Sequence, residues 1–108
     1  MPSRETIAEM MHDKQLDAFS NEAVKVIYSK DNSMRYVILK DEKEYFTYQL
    51  EAIYQFDKDE WEYICAHNDA LPAIWKPFRG IVGKSLFENE EELLKEIKEE
   101  PEYKQYFE

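Results

Sequence analysis

The longest regular pattern in the chain is an alternation. In "YFTYQLEAIYQF", residues 45–56, Phe46, Tyr48, Leu50, Ala52, Tyr54 and Phe56 alternate with Tyr45, Thr47, Gln49, Glu51, Ile53 and Gln55. A period of two over that length predicts a long strand with one apolar face and one wetted face. Two shorter runs precede it. "AVKVIYS" predicts a strand at Ala23–Ser29 and "MRYVILK" a second at Met34–Lys40, both rich in β-branched and aromatic residues. "KDNS" and "DEKE" between them are polar turns whose side chains can bond their own backbone. Connections this short join antiparallel neighbours rather than parallel crossovers. After the polar "DKDE", "WEYICAH" predicts a fourth strand.

Helical spacing is confined to the two ends. Ser3 is a suitable N-cap, and Ile7, Met10 and Met11 fall on one helical face before Lys14 breaks the stripe. Asn89 followed by Glu92 is a capping-box pattern, and Leu93, Leu94 and Ile97 form the stripe behind it. Pro101 ends that helix and can open a last turn carrying Tyr103, Tyr106 and Phe107. "NDALPAIWKPFRGIVGKSLF" holds two prolines and both glycines and predicts a long loop, with a short edge strand at Ala73-Ile74-Trp75. The expected fold is α+β: an N-terminal helix, a four-stranded antiparallel meander, a long loop and a C-terminal helix, with the helices packed on the apolar face of the sheet.

Composition narrows the class. A chain of 108 residues suits a single domain, residues 1–108, and no internal repeat or linker divides it. Apolar residues are 44% and aromatics 15% of the chain, which argues against disorder despite 35% charged residues. No apolar run approaches the roughly 20 residues a membrane span needs. The start, "MPSRETIAEMM", lacks the basic and apolar blocks of a secretory signal, and a lone Cys65 fits a reducing compartment. The expected location is therefore cytoplasmic.

Formal net charge is −10, which disfavours nucleic acid as a partner, and no membrane partner is expected. The charge is unevenly spread. Residues 70–87 carry no acid and three bases, whereas residues 88–108 carry nine acids and three bases.

The positive island contains Gly83-Lys84-Ser85, the ending of a phosphate-binding P-loop. The motif needs a glycine five positions before Gly83, where Phe78 stands, and a helix beginning directly after Ser85, whereas the cap signal comes at Asn89. A nucleotide site is not expected. Trp75, Lys76, Phe78, Arg79 and Lys84 instead have the aromatic and basic composition of an interaction surface, or of a core edge flanked by paired cations. Cys65 and His67, two apart on a predicted strand, would share a face with Trp61 and Tyr63. That pattern is half of a metal or nucleophile site at most, and more simply a buried thiol. Glu51 and Glu62 are candidate general acids among twenty-four acidic residues, none of which the sequence singles out. Glu91, Glu92 and Glu96 lie on the acidic helix, with Lys95 and Lys98 as prospective intrahelical partners.

No catalytic set, metal site or cofactor motif emerges. The expected function is non-enzymatic binding of a protein partner, basic in character, as in regulatory, inhibitor or immunity-like domains. The candidate surface is Trp75, Lys76, Phe78, Arg79, Lys84, Glu91, Glu92 and Glu96. The alternative is a small-molecule-binding domain with an aromatic pocket between sheet and helices, using Tyr48, Tyr54 and Trp75. A third option is homodimerisation through an uncovered sheet edge.

Overall fold

A computed structural model describes residues 3–19, 21–66, 73–78 and 86–108. The elements run α1 (Arg4–Met11), β1 (Glu22–Tyr28), β2 (Met34–Lys40), β3 (Phe46–Gln55), α2 (Lys58–Ala66), β4 (Ala73–Pro77), α3 (Glu90–Glu99) and α4 (Pro101–Tyr106). The strands form one open antiparallel sheet in the order β1-β2-β3-β4. The α+β class, the meander and the terminal helices are as expected.

One element differs. The fourth strand is the short run at Ala73–Pro77, and "WEYICAH" belongs largely to α2. The reason is a cap. The Asp57 side chain accepts the Glu60 N–H at 2.8 Å, while the Glu60 side chain accepts the Asp57 N–H at 3.3 Å. This reciprocal box satisfies donors that a strand would have offered to the sheet. Asp59 and Glu60 complement the dipole of the first turn, and Lys58 reaches Glu62 one turn on. Cys65 therefore lies in a helix, where a spacing of two no longer aligns residues. His67 lies outside the described residues.

The turns follow side-chain chemistry. Asp31 Oδ1 accepts from Ser29 Oγ, Ser33 N and Ser33 Oγ, and Ser29 Oγ accepts the Met34 N–H. Asp41 likewise accepts the N–H groups of Lys43 and Tyr45. Each turn needs one residue at positive φ, Asn32 in the first and Glu44 in the second.

Both faces of the sheet are covered, on opposite sides by different helices. Cross-strand register puts Ile27, Tyr36, Ile38, Tyr48 and Leu50 on one face, against Leu93 and Ile97 of α3 and Tyr103 and Phe107 beyond them. The other face carries Tyr28, Arg35, Glu51, Ile53 and Trp75, and here Ile7 and Met11 of α1 pack. The single wetted face expected for β3 is thus absent: Glu51 is buried and Ile53 packs under α1. Strand β2 is buried along Met34–Leu39, as a strand covered on both sides must be. On α1, Ile7, Ala8 and Met11 turn inward and Met10 stays exposed. At the β1 edge the register slips between Ala23 and Lys25, a bulge that leaves Val24 exposed and interrupts any flat edge.

The C-terminal helices are tied down by one carboxylate. Glu100 caps α3 and starts α4, and its two oxygens accept the hydroxyls of Tyr36 (2.6 Å) and Tyr48 (2.5 Å). Burial and the bond to Glu100 push both phenols well above their ordinary range. A raised tyrosine pKa means that the fold favours the neutral phenol. That stabilisation is complete below about pH 10, the unfolded value, and is lost as pH rises beyond it. Urea melts at pH 8 to 12 should therefore show stability falling above pH 10. Tyr36→Phe/Tyr48→Phe should be less stable at pH 8 but flatter above pH 10. Parallel curves for the two proteins would show that these phenols do not carry the alkaline limb.

Candidate functional site

The face under α1 holds a polar cluster in an otherwise apolar layer. Register places Tyr28 opposite Arg35 and Arg35 opposite Glu51 on adjacent strands. Arg35 Nε donates to Glu51 Oε1 at 2.8 Å, with both side chains almost wholly withdrawn from water. Arg35 Nη1 donates to the Lys14 carbonyl at 2.8 Å, and the guanidinium lies 4.2 Å from the centre of the Trp75 ring. Gln49 Nε2 donates to Glu51 Oε2 at 3.2 Å. The buried Arg35 Nη2 has no hydrogen-bond partner among the described residues.

The segment after α1 closes over this cluster. Trp75 Nε1 donates to the Met11 carbonyl and the Trp75 backbone N–H to Gln15 Oε1, at 2.9 and 2.8 Å. Asp13 and Gln15 both adopt positive φ, which lets the chain double back over Arg35. The Tyr28 hydroxyl donates to Asp13 Oδ1 and accepts the Asp13 N–H, each at 2.8 Å. The Tyr28 bond holds the Asp13 carboxyl below its usual range, and burial raises the Tyr28 phenol. His12 stacks on the Tyr28 ring with centroids 4.0 Å apart.

The described residues of the expected contact surface lie on β4, just after it, and on α3. Trp75 is 5% exposed and serves as the floor under Arg35, so it is not available to a partner. Lys76, on the opposite side of β4, is exposed and sits 4.1 Å over the Tyr54 ring. Phe78 is half-buried and its N–H extends the pairing to the Leu50 carbonyl at 2.8 Å. Arg79 and Lys84, with the rest of the P-loop-like stretch, lie outside the described residues. The helix cap is Asn89, whose side chain accepts the Glu92 N–H. The three aromatics of the expected pocket do not meet. Tyr48 is bonded to Glu100 on one face, Trp75 is buried on the other, and Tyr54 is exposed against Phe56.

Two features remain accessible. The first is the outer side of α3, where Glu91, Glu92, Glu96 and Glu99 are exposed alongside Lys95 and Lys98. Among the described residues the ion pairs involve Arg4, His12, Arg35, Lys40 and Lys58, and none involves α3. The expected intrahelical partnerships of Lys95 and Lys98 are not made. The second is a cleft of about 310 Å³ where α1, the β1–β2 turn, the end of β3 and α4 converge. Among the described residues no group of three His, Cys, Asp or Glu side chains is disposed to hold a metal ion, and no helix is long and apolar enough to cross a membrane. Compared with known proteins, the chain matches no family model, no curated protein and no solved structure.

Sequence reasoning missed Arg35 and could not choose Glu51. The available signal was a charge in the middle of "MRYVILK", which as a buried strand must find a partner across the sheet. Removing Glu51 alone should be costly because it strands a buried cation. Glu51→Ala is expected to lose about 3–5 kcal/mol in urea unfolding, whereas Arg35→Met/Glu51→Leu should recover most of that loss. A double variant no more stable than Glu51→Ala would show that the pair itself, not the stranded charge, carries the stability.

Proposed function

We propose that this domain is a non-enzymatic protein-binding module that docks a basic partner on the acidic face of α3, in the manner of an inhibitor or immunity protein. The observation that carries this reading is the set of exposed, unpaired glutamates Glu91, Glu92, Glu96 and Glu99 on one helix. Acidic residues on a helix surface usually gain from lysines three or four positions away. Here Lys95 and Lys98 form no ion pair with them and are outnumbered, so a net negative field stays available to a partner. Such a field raises the rate of encounter with a basic surface and disfavours acidic competitors.

Rigidity supports the same reading. Leu93 and Ile97 are fully buried beneath the acidic face, and Glu100 at its end is gripped by two tyrosines. A face held this firmly loses little further freedom on binding. Trp75 contributes by holding the sheet rather than by touching the partner.

The test is capture from a lysate of the organism that encodes the chain, at low and raised salt, followed by titration of the purified partner. The wild type should retain a basic protein at low salt and release it at high salt. Glu91→Lys/Glu92→Lys/Glu96→Lys should slow association on the order of tenfold or more at low salt. Equal association by the wild type and this variant would rule out α3 as the docking face.

A further inference from the structure

The cleft beside α1 has a chemistry of its own. Its floor and walls come from Ala8, Met34, Ala52, Ile53, Phe78 and Tyr106. The charged groups on its rim are Arg4 and Asp31. A volume of about 310 Å³ lies at the lower end of the range for ligand pockets. At roughly 30 Å³ per heavy atom, the share of a water molecule in the liquid, it holds about ten heavy atoms.

Asp31 is set in place before any ligand arrives. Its Oδ1 accepts from Ser29 Oγ, Ser33 N and Ser33 Oγ at 2.8, 3.0 and 2.6 Å. These bonds, the Ser33 hydroxyl foremost, hold its carboxyl below the usual range. Among the described residues its Oδ2 meets only Arg4, at 3.7 Å, and both side chains are mostly exposed, Arg4 71% and Asp31 63%. A pair that long and that wet is weak, so Arg4 is readily displaced. On the other side of Asp31 an open depression is lined by Glu5, Glu9, His12 and Asn32, with no lysine or arginine among the described residues. An anion approaching Arg4 therefore meets three carboxylates, whereas a cation approaching Asp31 is drawn in. The carboxylates do not converge as metal ligands do, which favours an organic cation over a metal ion.

We propose that this cleft binds a small amine, with its apolar body against Ala52, Ile53 and Phe78 and its ammonium group on Asp31 Oδ2 in place of Arg4. The site is independent of the acidic α3 face and of the protein-binding reading.

A matched pair of probes tests it. 2-Phenylethylammonium and phenylacetate share a ring and differ in the sign of their charge. Each is titrated into the full chain at pH 7 while backbone amide resonances of Ala8, Asp31 and Ala52 are followed. The cation should give saturable shifts at these residues and the anion at least tenfold weaker ones. Asp31→Asn should weaken the cation about tenfold or more, the scale of a lost charged hydrogen bond. Arg4→Ala should leave it equal or tighter, since a competitor is removed. Asn at position 31 keeps an oxygen for the serine donors. Should its spectrum nonetheless show the turn lost, Ala52→Leu, which fills the cleft without changing charge, must abolish binding in its place. Equal binding of phenylacetate, unchanged binding by the variant tested, loss of binding in Arg4→Ala, or no saturable shift with either probe would each overturn the proposal.

Discussion

The buried pairing of Arg35 with Glu51 is the constraint around which one half of the molecule is arranged. A guanidinium without water must have acceptors, and the sheet supplies only one charged partner in register with it. The remainder comes from outside the sheet. Lys14 offers a carbonyl and Trp75 offers the face of its ring. That requirement draws the segment after α1 across the sheet, at the expense of two residues at positive φ. Trp75 in turn is fastened by Met11 and Gln15, so the charge in β2, the indole in β4 and the end of α1 specify one another.

The opposite face solves a different problem with similar means. There the core is apolar and aromatic, and the carboxylate at the α3–α4 junction, Glu100, is shared between two phenols, with the buried Glu102 close behind it. One carboxylate thus ends a helix, starts the next and fixes both to the sheet. The glutamates that precede it on α3 look outward without partners. A firmly seated helix with an outer side rich in unpaired glutamates is the physical basis of the docking proposal. At the far end of the sheet, α1, the turn at Asp31 and α4 come together around the cleft.

Several features were legible from local pattern alone. The alternation at residues 45–56 identified β3, and the polar turns identified a meander, because strand periodicity and turn chemistry act within a few residues. The Asn89–Glu92 box located α3 correctly. The equivalent box at Asp57–Glu60 was equally present in the letters, but the aromatic and β-branched residues after it suggest a strand, and the cap prevailed. The second covered face was signalled by the unbroken apolar run in β2, yet the alternation in β3 pointed the other way. Gln49 and Glu51 look like a wetted face until Arg35 is placed beside them.

The sequence by itself determined the fold class, the strand meander, the two terminal helices and a strongly acidic balance, since these rest on periodicity, capping and composition. Tertiary structure alone decided which charges are buried and which are free. Arg35 and Glu51 are sixteen residues apart and meet only through strand register. Trp75 carries the composition of a contact residue and becomes a floor because Arg35 needs one. Asp31 and Arg4 border a cleft only because helices from both ends of the chain arrive at the same corner of the sheet. Burial is a property of what packs above a residue, and no local pattern states what that will be.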